Sequence, residues 1–151
     1  MTIKVEDNKI IFSRTIEAPI EKVFDAYTTK ELFEKWGAST KVFRFNAVSG
    51  GDAFYAIKTP TMTSYTLAEY KTVKRPYLIE YIDSFATPQG AKDTKMPSMK
   101  ITLSFSKSNT TKTTVTSTSV FPTKEAAQQV INMGVEQGMN QTLDQLDALL
   151  K

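Results

Sequence analysis

Cysteine and histidine are both absent from the sequence of 151 residues. Without cysteine, the protein has no disulfide, no thiolate nucleophile and no cysteine-based metal site. Without histidine, it lacks the side chain that most often acts as a general base near neutral pH and most often binds metals. Catalysis would therefore depend on carboxylates, lysine, tyrosine or bound water, and we predict no metal site, no cofactor and no catalytic residue.

Long apolar runs are also absent. None reaches the ~18 residues of a membrane span, and the first residues, MTIKVEDNKIIFSR, lack the apolar core of a secretory signal. We therefore expect a cytoplasmic protein with no membrane span. The net charge is only +3, from 19 basic and 16 acidic residues. Because the basic residues are scattered, without the stripe typical of nucleic-acid-binding proteins, we expect no nucleic-acid partner.

What the sequence does contain is the pattern of one α+β domain over residues 1–151. Seven segments rich in β-branched or alternating apolar residues predict strands: KIIFSRTIE, KVFRFNAV, DAFYAIKT, TSYTLAEYKTVK, YLIEYIDSF, MKITLSFSK and TTKTTVTSTSVF. After the first strand, APIEKVFDAYTTKELFEKWG predicts two short helices, the second ended by Gly37. After the last strand, FPTKEAAQQ predicts the start of a final helix, with Thr123 as its N-cap, that continues to Leu150.

Two glycines interrupt the apolar face of that final helix. Each of Gly134 and Gly138 costs a helix interior roughly 0.8–1 kcal/mol relative to alanine, and their spacing of four places both on one face. On a helical wheel they fall at the centre of the apolar stripe, where a core helix normally carries leucine or isoleucine. Either the glycines let the helix backbone lie against the sheet, or they leave room for a cavity.

The last predicted strand has a related feature. Ser117 and Ser119 share a face with Val115 and Phe121. If that face meets the helix, small polar side chains line an otherwise apolar interior. Ligand pockets are typically apolar with a few convergent polar groups, but the residues alone leave both explanations of the glycines open.

Four strings, in order, carry a resemblance over about residues 9–150: RTIEAPIEKVFDAYTTKELFEKWG, SGGDAFY, AEYKTVKRPYLIEY and GMNQTLDQLDALL. The sequence resembles small bacterial single-domain members of the activator-of-heat-shock-protein-90-ATPase-homologue-like family. This family belongs to the SRPBCC superfamily, also called Bet v 1/START-like. The sequence departs from the common pattern at Trp36, Asn46 and Met139, so the identity of a ligand is not transferred.

The resemblance implies a helix-grip fold. In this fold a curved, seven-stranded antiparallel sheet wraps around a long C-terminal helix, and two short helices, near residues 20–28 and 30–36, follow the first strand. The cavity that the superfamily shares between sheet and helix favours the second explanation of the glycines. Relatives bind lipids, sterols, polyketides or plant hormones, some are polyketide cyclases or aromatases, and a eukaryotic co-chaperone contains a related domain.

We therefore expect a non-catalytic binding or carrier protein for a small hydrophobic molecule of lipid, polyketide or aromatic type. One alternative is a cyclase- or aromatase-like enzyme in the same cavity, and another is a domain that binds a chaperone partner. An enzyme would pair a tyrosine with a carboxylate such as Glu69, Glu80 or Asp83, but we expect these acids at outward positions facing solvent. A cavity carboxylate with a raised pKa would favour the enzyme, and a closed interior would favour the interaction domain.

Alternation along the strands and the face of the final helix together predict the side chains that line the cavity. The predicted ligand-binding residues are Phe33, Trp36, Phe45, Tyr55, Ile57, Tyr70, Tyr81, Met99, Ser117, Ser119, Ile131, Gly134, Gly138 and Thr142.

Overall fold

The computed structural model describes residues 2–36, 40–58, 62–132 and 134–150 of the chain. Gly37, predicted to end the second helix, lies outside the described residues. The elements follow in the order β1 (Thr2–Glu6), β2 (Lys9–Ile16), α1 (Ile20–Thr28), α2 (Lys30–Trp36), β3 (Thr40–Phe45), β4 (Asp52–Lys58), β5 (Thr63–Lys74), β6 (Leu78–Ala86), β7 (Met99–Asn109), β8 (Lys112–Val120), α3 (Lys124–Asn132) and α4 (Val135–Leu150).

The described strands form one antiparallel sheet in the order β1-β2-β8-β7-β6-β5-β4-β3. The sheet therefore has eight strands, and the prediction of seven is wrong by the edge strand β1. That strand pairs with β2 through a tight turn at Asp7, whose φ of 54° is in the left-handed region that such turns use. The side-chain amide of Asn8 donates to the carbonyl oxygen of Phe121 at 2.9 Å and fixes this corner. The five residues of β1, TIKVE, do alternate between polar and apolar side chains, but the pattern covers only two apolar positions.

The inner face of the sheet follows the predicted alternation. Along β7, Ile101, Leu103 and Phe105 are buried, whereas Lys100 and Ser104 are exposed. The cross-strand register carries the same face through the sheet, because each strand pairs in register with its neighbours apart from a few bulges. The result is a concave apolar surface, which the helices cover.

The two short helices begin and end as predicted. Pro19 is the N-cap of α1, where its missing N–H costs nothing, and α1 buries Val23, Phe24 and Ala26. Trp36, at the end of α2, donates its indole N–H to the carbonyl oxygen of Ala26 at 2.8 Å. This buried hydrogen bond holds α2 against α1.

The C-terminal segment is not one long helix, so that prediction is wrong. Its start is confirmed, because the hydroxyl of Thr123 accepts a hydrogen bond from the N–H of Ala126 at 3.0 Å. The chain then breaks at Gly134, whose φ is +84°. A left-handed residue cannot continue a right-handed helix, and glycine adopts that conformation most easily. Gly134 also begins α4, because its carbonyl oxygen accepts the N–H of Gly138 at 3.2 Å.

Arg14 attaches α4 to the sheet. It lies on the inner face of β2, and its side chain is only 15% exposed. Its guanidinium donates to the backbone and side-chain oxygens of Asn140, at 3.0 and 2.9 Å, and pairs with Asp144 at 2.6 Å. These contacts hold α4 against the sheet at Asn140 and Asp144, which follow the helix break at Gly134. Within the described residues, no helix combines the length and the apolar character needed to span a membrane.

Candidate functional site

A cavity of about 590 Å³ lies between the concave face of the sheet and α4. It opens to solvent, and most of its wall is apolar. The sheet contributes side chains from β2, β4, β6, β7 and β8, the short helices contribute aromatic rings, and α3 and α4 contribute the remaining wall. The size and the lining are those of a small-molecule pocket.

Ten of the fourteen predicted residues line this cavity. They are Phe33, Trp36, Tyr55, Ile57, Tyr81, Met99, Ser117, Ser119, Gly138 and Thr142. The hydroxyl of Thr142 is already engaged, because it donates to the carbonyl oxygen of Gly138 at 2.9 Å. That these residues bind a ligand stays a prediction.

The other four predicted residues lie outside the main cavity. Phe45 packs behind its wall, with its ring centroid 5.3 Å from that of Phe33. Tyr70 lines a small separate void next to Tyr81. Ile131 packs into the cluster around Phe121, and Gly134 is exposed at the helix break. The helical wheel placed these last two wrongly because it assumed one continuous helix across Gly134.

Gly138 is the glycine that faces open space. A methyl group built on its Cα meets no atom within 4 Å. The backbone of α4 therefore does not lie against the sheet at Gly138, and this residue lines the cavity. The open-cavity explanation is therefore correct for Gly138, whereas Gly134 has the left-handed conformation at the break between α3 and α4.

Aromatic rings form one end of the cavity. Phe33 contacts Tyr55 and Trp36 edge to face, with ring centroids 5.2 and 5.5 Å apart. Tyr27 stands edge to face on Trp36 at 4.8 Å. On the sheet, Tyr81 lies across from Tyr70 with centroids 5.7 Å apart. These contacts fix the orientation of the rings, so the aromatic end is preformed.

Asp83 is the one carboxylate in the cavity wall among the described residues. Its Oδ1 is shielded from solvent and has no hydrogen-bond partner, and no other side-chain N or O atom in the described part of the chain is in that state. Its cross-strand neighbours are Ala68 on β5 and Met99 on β7, neither of which offers a donor. Burial therefore raises the pKa of Asp83 from 3.8 to about 7.

The expectation that Asp83 faces solvent is wrong. Ile79 and Tyr81 occupy the inner face of β6, and Asp83 is the next residue in the same alternation. The signal was therefore present in the sequence, and only the usual preference of carboxylates for solvent argued against it. Glu80, between these positions, lies on the opposite face of the same strand.

The cavity tyrosines remain protonated at ordinary pH. Burial raises the pKa of both Tyr55 and Tyr81 well above its usual value, and the negative charge of Asp83 raises each further. They can therefore donate or accept hydrogen bonds but do not ionise. Arg44, on β3, lies outside the cavity and pairs with Asp52 at 2.7 Å. No cluster of three acidic side chains suited to a metal ion occurs within the described ranges.

Solved structures similar to this one cover nearly the whole chain. The solution structure of a protein from Staphylococcus epidermidis is 62% identical, covers 99% of this chain and 93% of its own, and gives a TM-score of 0.88. Protein Ms6760 from Mycobacterium smegmatis is 23% identical over 100% of this chain and 96% of its own, with a TM-score of 0.91. The crystal structure of Ara h 8.0201 is 16% identical, covers 96% of this chain and 98% of its own, and gives a TM-score of 0.69.

The last two similarities show the fold alone, which is the Bet v 1-like helix-grip fold. No curated protein matches the chain. Residues 17–151 match the family described as Activator of Hsp90 ATPase homolog 1-like protein. The chain therefore belongs to the Activator of Hsp90 ATPase homolog 1-like family.

Proposed function

We propose that the protein binds a small, largely apolar molecule in the cavity between the sheet and α4. The observation that supports this most directly is the preformed space itself. A cavity of about 590 Å³ that opens to solvent lies beside the exposed Gly138, where side chains could otherwise have packed between the helix and the sheet. The fold of the family is consistent with this function, and the interaction-domain alternative lacks the closed interior that would favour it.

Trp36 provides a direct test, because it is the only tryptophan and lines the cavity. The neutral apolar fluorophore diphenylhexatriene absorbs where tryptophan emits, so a bound molecule quenches Trp36 by energy transfer. We expect saturable quenching at one molecule per chain. Gly138→Leu, which fills the open space, should weaken binding at least about tenfold.

Gly138→Ala is the matched control, since its single methyl group enters open space and removes little volume. It should bind the fluorophore within about twofold of the wild-type protein. Quenching that never saturates, or that Gly138→Leu leaves unchanged, would place the fluorophore outside the cavity and contradict the proposal.

A second candidate function is enzymatic, and Asp83 is the observation that favours it. A carboxyl group that titrates near pH 7 in a desolvated cavity has the properties of a general acid or base. The neighbouring hydroxyls of Tyr55 and Tyr81 could orient a carbonyl group, as a cyclase or aromatase requires. In this function Asp83 would move protons, whereas in the first it would only contact the ligand.

The base-promoted opening of nitrobenzisoxazole tests this candidate. The ring C–H proton passes to the Asp83 carboxylate while the N–O bond breaks, which releases a coloured cyanonitrophenolate. We expect the rate to rise with pH through about 7 and to be lost in Asp83→Asn. A rate that Asp83→Asn and Glu80→Gln leave equally unchanged would argue against a general base in the cavity.

A further inference from the structure

The cavity combines an apolar wall with a single buried acid, and this combination restricts the ligand. Oδ1 of Asp83 is shielded and unpartnered, although leaving a buried polar atom without a hydrogen-bond partner is normally unfavourable. Protein folds retain such atoms mainly where a ligand or a water supplies the missing partner. A ligand that donates a hydrogen bond to Asp83 would remove this cost.

The protein itself supplies no cation to Asp83 within the described residues. Arg14 is engaged by Asn140 and Asp144 on α4. Lys58 lines the cavity only from the exposed end of β4. The side chains that α4 presents to the cavity are uncharged. The position opposite the carboxylate is therefore free for a positive group of the ligand.

The surroundings of Asp83 also suit a cation. The cavity rings of Tyr55 and Tyr81 lie close enough to feel the charge of Asp83. Phe33 and Trp36 continue the aromatic surface. Aromatic faces attract ammonium groups, and the attraction is stronger where water is excluded. A carboxylate beside aromatic rings is thus a receptor for a protonated amine.

We infer that the natural ligand is an amphipathic amine, with its apolar body in the cavity and its ammonium group on the carboxylate of Asp83. This inference rests on the proposed binding function and adds the chemical class of the ligand. It excludes fatty acids and other anions, because the Asp83 carboxylate would repel their negative charge in an apolar surrounding. A neutral ligand with a hydroxyl group can donate a hydrogen bond to Asp83, but it leaves the charge of the carboxylate without a counter-ion.

The test compares two probes of the same shape, naphthylethylamine and naphthylethanol, by titration calorimetry at about pH 8. We expect the wild-type protein to bind the amine at least about tenfold more tightly than the alcohol, because the hydrogen bond to the amine is charge-assisted. Asp83→Asn should reduce this preference to about twofold or less. Glu80→Gln removes the same charge from the opposite face of the same strand and should retain the preference.

The pH dependence gives an independent readout. The titratable groups that face Asp83 are Tyr55 on β4, Tyr70 on β5 and Tyr81 on the same strand, with Tyr27 on α1 and Lys58 at the opening. The tyrosines stay neutral, because burial raises the pKa of each. The amine binds the ionised carboxyl, whose pKa is about 7 in the free protein. Its affinity should therefore fall about tenfold from pH 8 to pH 6, while that of the alcohol stays constant.

The outcomes separate this inference from the function on which it rests. If diphenylhexatriene binds but the amine shows no preference over the alcohol, the amine inference is overturned and cavity binding stands. An amine preference that Glu80→Gln abolishes as fully as Asp83→Asn would also overturn it, since only the net charge would matter. If neither the fluorophore nor either naphthyl probe binds, both proposals fail.

Discussion

Replacing Asp83 by asparagine should change how the stability of the protein depends on pH. In the folded protein the pKa of Asp83 is about 7, and its ordinary value is 3.8. Between these two pH values the folded state therefore holds a proton that the unfolded state has lost. The contribution of Asp83 to the unfolding free energy is therefore greatest below about pH 4, falls as the pH rises, and reaches its lower level above about pH 7.

The magnitude follows from the difference between the two pKa values. At about 1.36 kcal/mol for each unit of pKa, the difference from 3.8 to about 7 corresponds to about 4 kcal/mol. This is an upper limit, because water that enters the open cavity solvates the ionised carboxyl group. Asp83→Asn keeps the shape and removes the ionisation, so it should lose this pH-dependent decrease.

Urea denaturation at several values between about pH 4 and pH 8 measures the effect. The difference in unfolding free energy between Asp83→Asn and wild type should grow with pH in favour of the variant, by about 2–4 kcal/mol in total. Using this difference cancels the contributions of the other titratable groups. Glu80→Gln, on the outer face of β6, should parallel the wild type. If Asp83→Asn also paralleled the wild type at every pH, Asp83 would be an ordinary solvated carboxylate and the reasoning would be refuted.

Four further substitutions test the C-terminal segment by chemical denaturation. Gly134→Ala should lower the free energy of unfolding by about 1–2 kcal/mol, because φ is +84° at this position. Gly138→Ala lies in the interior of α4 and should raise the free energy of unfolding by up to about 1 kcal/mol. Equal effects of the two substitutions would contradict the helix break. Arg14→Met should cost about 1–3 kcal/mol by removing the hydrogen bonds to Asn140. Asp144→Asn should cost less than about 1 kcal/mol because that carboxylate is 63% exposed, and a reversed order would show that the ion pair attaches α4.

The sequence was sufficient to predict most of the fold, because the sheet has a clear period of two. In β7 and β8 the inner residues Ile101, Leu103, Val115 and Ser117 all follow from alternation, and the structure buries them. The two short helices follow from the proline at the start and the spacing of apolar residues. Strand β1 was missed although TIKVE alternates, because the pattern covers only two apolar residues, Ile3 and Val5.

The helix break could not be found from periodicity. A helical wheel contains no information on the sign of φ and assumes one continuous helix. It therefore extends the apolar stripe across Gly134 and predicts that Ile131 lines the cavity. From the residues alone, the glycines predict either a close approach of the helix to the sheet or a cavity, whereas Gly134 is in fact a left-handed residue at a helix break. Only the backbone conformation shows this break, and it depends on how α3 and α4 pack against different parts of the sheet.

Asp83 shows a different limit. The preference of a carboxylate for solvent predicts an outward position for Asp83, whereas alternation from Tyr81 predicts the inward position that the structure shows. For most carboxylates the outward position is right, because burial without a partner is costly. At the cavity wall, the free protein keeps the unfavourable burial of the Asp83 carboxyl group. The carboxylate that departs from the usual preference for solvent therefore lies in the candidate site.

The most direct test of cavity binding uses methionines labelled with ¹³C at the terminal methyl group. Met99 and Met139 lie at the cavity, and Met62 and Met96 are 60% and 41% exposed on the outside. With diphenylhexatriene bound, we predict nuclear Overhauser contacts from its protons to the methyl groups of Met99 and Met139 and none to Met62 or Met96. Contacts confined to Met62 or Met96, or a spectrum that the fluorophore leaves unchanged, would contradict binding between the sheet and α4.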